Sequence, residues 1–273
     1  MTLHVNVNSS WSDVREVHVN NGSWQEAKEV HVKNNGTWEL VHKVITIDAN
    51  VADLNLFTLA GSPTKPITFK FVINSGVYVY GSSTATTALT VGSFPAGSKI
   101  YLINNGTIIG AGGNGGKGGD QSTGWVGLAG SGGGNALNAN FPIIIQNNGS
   151  VIAGAGGGGG SGMLSNTYTV GTGKNATTYT SYYGGKGGGG GAGFVFGTGG
   201  VGGSSGVTFA GTAGSNGTLT AGGAPNGGGP GLAGTNGTAY VYAGGVGGQP
   251  GFYIVSNSNV VWETIGTRIG RLG

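Results

Sequence analysis

The sequence predicts a mainly β and irregular fold with essentially no α-helix, and three observations carry this prediction. The chain has 64 glycines in 273 residues, and most lie in runs interrupted on a period of three. Short segments of alternating apolar and polar residues flank these runs. Three tryptophan-containing units repeat near the start. We therefore expect N-terminal hairpin repeats, a β region, and a C-terminal sandwich of packed polyglycine II helices with loops at one end.

The glycine runs keep a regular phase. In Gly110–Gly119 the residues other than glycine are Ala111, Asn114 and Lys117. The left-handed polyglycine II helix has three residues per turn, so residues three apart form one row along its axis. Two rows made only of glycine permit close packing on two sides, while the third row carries side chains. A run made only of glycine, such as Gly156–Gly160, can be surrounded on every side. A flexible glycine linker is the alternative, but a linker has no reason to keep this phase.

A polyglycine bundle buries little apolar area, so it needs an adjoining region with an ordinary hydrophobic core, which we call the hydrophobic clamp. Ordering a residue costs about 1–2 kcal/mol of backbone entropy, whereas a net hydrogen bond returns about 1 kcal/mol. Apolar alternation at 44–109 and again at 252–269 predicts β structure on both sides of the glycine runs. We divide the chain into a Trp-repeat region at 1–43, a β-strand region at 44–109 and a glycine-rich domain at 110–273.

Trp11, Trp24 and Trp38 lie at matching places in the repeated units. Each follows a short turn, and Asn-Gly in the second and third turns is typical of tight β-hairpins. Units this short do not fold alone, so we expect the three copies to pack together. Three equivalent units in one chain suit docking onto a partner with threefold symmetry. The alternative is that these tryptophans form a small core.

Segments between the glycine runs are rich in Thr, Ser, Asn and aromatic residues, a composition similar to that of antibody loops. If the glycine helices are antiparallel, alternate loops cluster at one end, and loops on a rigid scaffold often carry recognition. The candidate loops are 120–129, 163–183, 194–196, 204–220 and 235–243. Their candidate recognition residues are Trp125, Tyr168, Tyr179, Tyr182, Tyr183, Phe209, Tyr240 and Tyr242. Solvated spacers are the alternative interpretation.

The residue inventory argues against an enzyme. No Asp, Glu, His or Cys occurs from Gln121 to Trp262, so this stretch has no paired carboxylates, serine triad, Cys–His pair or metal ligand set. We expect no cofactor, no metal and no small-molecule substrate. The basic residues are scattered singly, so we expect no nucleic-acid partner. The start lacks a signal-peptide pattern, which predicts synthesis in a cytosol without export by the usual route.

The order of these parts resembles the adhesin at the tip of the long tail fibres of T-even-like bacteriophages. The most specific stretch is Gly-Ala-Gly-Gly-Asn-Gly-Gly-Lys-Gly-Gly at 110–119, and the resemblance covers nearly the whole chain. It implies a virion protein made in the host cytoplasm, with one copy attached to the trimeric fibre tip through Trp11, Trp24 and Trp38. It also implies that the loops between the glycine helices bind a porin or a similar outer-membrane protein of the host.

Two other functions fit parts of the sequence. A structural or ice-binding polyglycine protein predicts flat, repetitive faces of small residues and has no need of aromatic loops. A tail-fibre assembly factor would be absent from the finished particle.

Overall fold

A computed structural model describes residues 4–7 and 10–273 of the chain, with side chains from residue 14 onward. Strands and irregular segments dominate, which confirms the predicted fold class. The one α-helix among the described residues, α1 (Leu56–Leu59), has four residues. Three 3-10 helices lie at Gln121–Thr123, Gly173–Asn175 and Asn257–Asn259.

Three antiparallel hairpins form the N-terminal region. Their strands are β1 (His4–Val7), β2 (Ser10–Asp13), β3 (His18–Asn20), β4 (Trp24–Glu26), β5 (Glu29–Asn34) and β6 (Thr37–Ile47). The second strand of each hairpin carries one tryptophan of the repeat, so the predicted hairpin repeats are confirmed. Strand β6 continues without a break across position 43, where the sequence suggests a boundary between regions.

From β6 onward the chain winds into a parallel β-helix with three sheets. Its further strands are β7 (Val51–Ala52), β8 (Leu54–Asn55), β9 (Thr68–Ile73), β10 (Tyr78–Tyr80), β11 (Leu89–Thr90), β12 (Lys99–Asn104), β13 (Thr107–Ile109), β14 (Leu137–Asn138), β15 (Ile143–Asn147) and β16 (Ser150–Ile152). After a separate hairpin of β17 (Leu164–Val170) and β18 (Thr177–Tyr183), the winding resumes with β19 (Phe252–Val255), β20 (Val260–Thr264), β21 (Thr267–Ile269) and β22 (Arg271–Leu272).

Successive strands of the winding enter the three sheets in turn. The first sheet contains β6, β9, β12, β15 and β20, with β5 at its edge; the second contains β7, β10, β13, β16 and β21; the third contains β8, β11, β14, β19 and β22. Apolar alternation predicts these strands but not their parallel stacking, because the alternation is the same for either strand direction.

The interior of the β-helix is the hydrophobic core. Phe69 and Phe71 are buried with ring centroids 5.8 Å apart. At the turn after the first sheet, the side chain of Asn104 donates to Asn147 Oδ1 on the next coil at 2.8 Å, and Asn147 donates to the Ile265 carbonyl at 2.7 Å. These amides satisfy buried polar groups and align adjacent coils. The core is the hydrophobic clamp that the glycine-rich region requires.

The glycine runs are two long excursions from the β-helix. One lies between β13 and β14, and the other lies between β16 and β19. Both contain extended columns that run alternately away from the β-helix and back toward it. The outward columns are 110–119, 154–162, 197–203 and 232–238, and the returning columns are 127–134, 184–193, 211–217 and 244–251. We call the end far from the β-helix the distal end, and the other the near end.

Column 110–119 has the three-row arrangement that the sequence period predicts. In each turn one N–H donates to column 154–162, one N–H donates to column 197–203, and one carbonyl accepts from column 127–134. Examples at 2.8 Å are the bonds from Gly113 to Ala155, from Gly115 to Thr198 and from Ser131 to Asn114. Because a polyglycine II helix has no internal hydrogen bonds, these lateral bonds satisfy its backbone.

Column 154–162 lies at the centre of the sandwich and is buried along its whole length. A β-carbon at Gly157 would overlap the Asn114 carbonyl. The prediction that an all-glycine run can be surrounded is therefore confirmed. The column is hydrogen-bonded to columns 110–119, 127–134, 184–193, 232–238 and 244–251, and to segment 221–228.

Connections between columns lie at both ends, and this corrects part of the loop prediction. Segment 194–196 is at the near end, where the Phe194 ring stacks on Tyr80 of β10 with centroids 4.2 Å apart. Parts of three other predicted loops, 127–129, 211–217 and 235–238, belong to columns because their backbones make lateral hydrogen bonds. The distal loops are 120–126, 163–183, 204–210 and 239–243.

Candidate functional site at the distal loops

The longest distal loop is a β-hairpin that projects beyond columns 154–162 and 184–193. Its two strands, β17 and β18, pair in antiparallel register. On one face Tyr168 stacks on Tyr179 at 5.6 Å, and both side chains are about half exposed. The opposite face has threonine hydroxyl pairs 3.1 Å apart, Thr167 with Thr180 and Thr169 with Thr178. The hairpin therefore presents an aromatic face and a hydroxyl face.

Trp125 lies at the centre of an aromatic cluster. Its ring stacks on Tyr182 at 5.8 Å and lies 6.3 Å from Tyr242, so it joins residues of three loops. Its φ is +71°, in the left-handed region that bulky residues rarely adopt. The backbone is held there by bonds from Trp125 N–H to the Asp120 carbonyl at 2.7 Å and from Met163 N–H to the Trp125 carbonyl at 3.0 Å. Such strain is typical of functional positions.

The remaining candidate aromatic residues also lie at the distal end. Tyr183 stacks on Phe209 at 4.9 Å, which links the hairpin to loop 204–210. Tyr240 lines a cavity of about 220 Å³ together with Leu164 and Lys186. The structure thus brings seven of the eight candidates into stacked pairs or the Trp125 cluster, while Tyr240 lies at the cavity.

Asp120 fixes the geometry of two distal loops, a role that the sequence analysis missed. Its fully buried carboxylate accepts from the N–H groups of Ser122, Ser204 and Ser205 at 2.8–3.0 Å and lies 2.9 Å from Lys117 Nζ. Burial alone would raise the pKa of this carboxyl, but the hydrogen bonds from the serines and Lys117 outweigh it and hold the pKa far below its ordinary value. The signal available in the sequence is that Asp120 continues the period-three row of Ala111, Asn114 and Lys117.

The tryptophans of the N-terminal hairpins are presented to solvent. Trp24 is 72% exposed and Trp38 is 66% exposed. The side chain of Trp11 lies outside the described residues. Exposure of Trp24 and Trp38 argues against the alternative that these two form a small core.

Ion pairs made by buried Lys70 and by part-buried Arg15 hold the N-terminal region on the first sheet of the β-helix. The Nζ of Lys70, on β9, lies 2.5 Å from Glu16 Oε1 and 2.9 Å from Glu26 Oε1. Burial by itself lowers the pKa of Lys70, but its hydrogen bonds with the two glutamates raise the pKa above the ordinary value. Arg15 pairs with Glu263 at 2.6 Å. These contacts orient the hairpins against the sheet.

The described residues contain no cluster of three His, Cys, Asp or Glu arranged to hold a metal ion. Within the same part of the chain, no helix has the length and apolar character needed to cross a membrane.

A β-helix that extends into a polyglycine sandwich, with aromatic loops at the free end, is the architecture of a recognition protein on a rigid scaffold. The chain belongs to the phage tail fibre adhesin Gp38 family, whose model matches residues 42–273. The predicted family is therefore confirmed, and with it a role in host recognition on the phage tail fibre.

A solved structure of similar fold is the gp37–gp38 adhesin tip complex of the bacteriophage S16 long tail fibre. The similarity has a TM-score of 0.55 at 22% sequence identity and covers 86% of this chain and 84% of that chain. At this identity the comparison concerns the fold alone. No curated protein matches the chain.

Proposed function

We propose that the chain is the receptor-binding tip of a long tail fibre and that its distal loops bind a porin-like outer-membrane protein of the host. The observation that carries the proposal is the convergence of four loops at the distal end, where their aromatic side chains stack while remaining accessible. Tyr168, Tyr179 and Phe209 are each about half exposed. Stiff aromatic side chains on a rigid scaffold bind with little loss of conformational entropy.

The proposed interface relies on stacking and hydrogen bonding. Asp120 is the single acidic residue in the distal loops, and its carboxylate is fully buried and paired. Binding therefore does not depend on carboxylates that face receptor cations. Since few exposed charges need screening, we expect salt to weaken binding only slightly.

The test is adsorption of the purified protein to host cells, followed by capture from outer-membrane extracts. We expect Tyr168→Ala combined with Tyr179→Ala to weaken adsorption by roughly thirtyfold or more, because hot-spot aromatics contribute about 2 kcal/mol or more. Phe196→Ala is the matched control, since Phe196 is an exposed aromatic residue at the near end. Unchanged adsorption of the tyrosine variant, or loss of wild-type adsorption in moderate salt, would move the site away from these loops.

We further propose that the N-terminal hairpins attach one copy of the chain to a trimeric fibre protein. Three tryptophan hairpins in one chain suit a partner with threefold symmetry, and exposed Trp24 and Trp38 offer apolar contact area. The solved relative of similar fold is a complex of gp38 with gp37, which supports a fibre partner for this chain. This position makes the chain a virion component, in contrast to an assembly factor that leaves the particle.

Membership in the adhesin family and the exposed aromatic loops favour this function over ice binding. An ice-binding face is expected to be flat and repetitive, whereas the distal end carries a projecting hairpin and a cavity.

A further inference from the structure

One column position in the polyglycine array is occupied by polypeptide along only part of its length. Segment 221–228 occupies the space between columns 154–162, 184–193 and 211–217 at the near end. There the N–H of Gly189 donates to the Pro225 carbonyl at 2.5 Å, and the N–H of Ser215 donates to the Ala224 carbonyl at 2.7 Å. The segment goes no further out, because the chain turns back at this point and Gly227 N–H bonds to the Gly223 carbonyl at 2.9 Å.

The distal cavity is the unfilled continuation of that column. It has a volume of about 220 Å³, and Gly162, Lys186 and Thr212 contribute to its walls. Gly189 and Ser215 both bond to segment 221–228. Lys186 lies three residues further out than Gly189 in the same column, and Thr212 lies three residues further out than Ser215. Three residues make one turn of a polyglycine II helix, about 9 Å along the axis. The cavity therefore occupies the next turn of the same column position.

Backbone groups along the unfilled column position repeat the hydrogen-bonding pattern of the filled part. The N–H groups of Lys186 and Thr212 are the register equivalents of Gly189 and Ser215, but neither donates to an acceptor among the described residues. In the filled part, the carbonyls of Gly190 and Gly156 accept hydrogen bonds from segment 221–228. One turn further out, the equivalent carbonyls of Gly187 and Gly159 accept no bond within the described chain. Gly187 and Gly159 are buried, and buried backbone groups are nearly always paired. The cavity wall therefore offers two donors, Lys186 and Thr212, and the column register adds two acceptors in the same turn.

We propose that this cavity binds an extended polypeptide segment of the receptor, which continues column 221–228 outward by about one turn. An extended backbone supplies carbonyls for Lys186 and Thr212 and N–H groups for Gly187 and Gly159. Residues of the bound segment that face Gly162, Gly184 and Gly211 must be small, because glycine backbone forms that part of the wall. The mode is analogous to strand addition at a sheet edge, with a polyglycine column in place of a strand. The identity of the partner as the receptor rests on the proposed function, whereas the peptide chemistry rests on the cavity alone.

The charge at the cavity specifies the segment further. Lys186 is exposed, and its Nζ makes no ion pair with any described residue. Since the distal loops have no exposed carboxylate, this ammonium group favours an acidic residue beside the small residues of the segment. A lone anion or a sugar would use the ammonium group or the N–H groups but would not reproduce the repeat of donors and acceptors.

The experiment is a nitrogen-15 NMR titration of the full chain with acetyl-Gly-Gly-Gly-Asp-amide, and in parallel with inorganic phosphate and methyl glucoside. We expect the peptide alone to produce saturable shifts of the Lys186 and Thr212 amide signals. Equal or larger saturable shifts with phosphate or the glucoside would overturn the peptide proposal in favour of an anion or sugar site. Absence of a saturable shift with the peptide would overturn it as well.

Thr212→Pro provides the matched variant, because proline fits the φ of a polyglycine II helix and removes the unpaired Thr212 N–H together with the hydroxyl side chain. We expect it to weaken peptide binding at least about fivefold, the effect of one hydrogen bond. Val201→Pro is the control, since Val201 is exposed and its N–H also donates to no described acceptor. Equal peptide affinity of the two variants, with unchanged amide spectra elsewhere, would contradict the proposal. Peptide binding without host adsorption would refute the proposed function while leaving the cavity assignment intact.

Discussion

The carboxylate of Asp120 accepts a hydrogen bond from the backbone N–H of Ser204 at 2.8 Å, although 84 residues separate them in the chain. Asp120 ends the first glycine column, and Ser204 begins the loop after column 197–203. Because the same carboxylate also bonds Ser122 and Ser205, it holds loops 120–126 and 204–210 in a fixed relative position. The aromatic residues Trp125 and Phe209 belong to these two loops.

We therefore expect Asp120→Asn to lower the free energy of unfolding by about 1–3 kcal/mol, since an amide cannot satisfy all these donors and loses the ion pair with Lys117. Chemical denaturation at neutral pH measures the change. Asp48→Asn, which alters an exposed carboxylate, is the control and should leave stability nearly unchanged. Equal stability of the two variants would show that the Asp120 network does not hold the loops.

Adjacent glycines in column 127–134 provide a test of close packing. A β-carbon at Gly133 would overlap the Gly154 carbonyl, whereas one at Gly132 would meet only the Gln249 carbonyl at 3.4 Å, an ordinary contact. We expect Gly133→Ala to destabilise the protein by about 1–3 kcal/mol or more, as overpacking does. Gly132→Ala should be neutral or stabilise it by up to about 1 kcal/mol. Similar melting temperatures for the two variants would contradict a packed bundle.

The period of the glycine runs predicts the columns because few regular backbone conformations have three residues per turn. The β-helix was not predictable in the same way. Alternation in β9 and β12 indicates strands, but parallel stacking is decided by contacts between residues far apart in sequence, such as Asn104 with Asn147. The repeated Asn-Asn-Gly after two strands is the local trace of that stacking.

The candidate site was predictable in composition but not in geometry. The sequence indicates aromatic loops, yet the end at which each loop lies depends on column direction, so the prediction that 194–196 is a recognition loop at the distal end is wrong. The β17–β18 hairpin carries a Thr/Tyr-rich alternating pattern that favours strands, although its setting between glycine runs suggested a loop. The cavity beside Tyr240 was beyond sequence reasoning, because it arises from where segment 221–228 turns back.

Buried His42 makes stability sensitive to mild acid. Neither ring nitrogen has a hydrogen-bond partner among the described residues. Burial lowers the pKa of His42; Lys70 also lowers it, and Glu26 and Glu16 oppose the shift. The unfolded chain therefore takes up a proton near pH 6.5 while the folded chain does not, so stability is complete above this pH and falls as the pH drops toward the lowered pKa.

We expect His42→Leu to remove the part of this loss that begins as the pH falls through about 6.5, and to leave stability at pH 8 unchanged or raised, because an unsatisfied buried polar ring is replaced by an apolar one. Denaturation at a series of pH values measures the effect. His31→Leu, at an exposed position of the same hairpin, should leave the pH dependence as it is in the parent. A parallel pH profile for the parent and His42→Leu would exclude His42 as the cause.

The positive φ of Trp125 allows its structural role to be separated from its proposed binding role. Trp125→Gly removes the ring but relieves backbone strain of about 1–2 kcal/mol, whereas Trp125→Ala removes the ring and keeps the strain. We expect the glycine variant to be more stable than the alanine variant by about 1 kcal/mol, and both variants to adsorb weakly to host cells. Thermal melts and cell adsorption report the two effects separately. Full adsorption by the glycine variant would mean that the Trp125 ring makes no contact with the receptor.

The exposed tryptophans of the N-terminal hairpins should act in fibre attachment without contributing to folding. Because Trp24 and Trp38 are both mostly exposed, replacing both by Ser should change stability by no more than about 0.5 kcal/mol per site. If the two rings are hot spots for the fibre, their loss should weaken co-purification with the fibre protein by roughly thirtyfold or more.

Tyr179→Ser supplies the control for this experiment, since Tyr179 is an exposed aromatic residue at the distal end. It should impair host adsorption but leave co-purification with the fibre intact, which is the reverse of the effect expected for the tryptophan pair.

A second experiment uses Lys70→Met. This change removes the buried ammonium group that holds Glu16 and Glu26, so the hairpins should lose their orientation while Trp24 and Trp38 remain present. Weaker co-purification of this variant would show that attachment needs hairpins held against the β-helix. Undiminished co-purification of the Trp24 and Trp38 double variant would transfer the attachment role to another surface.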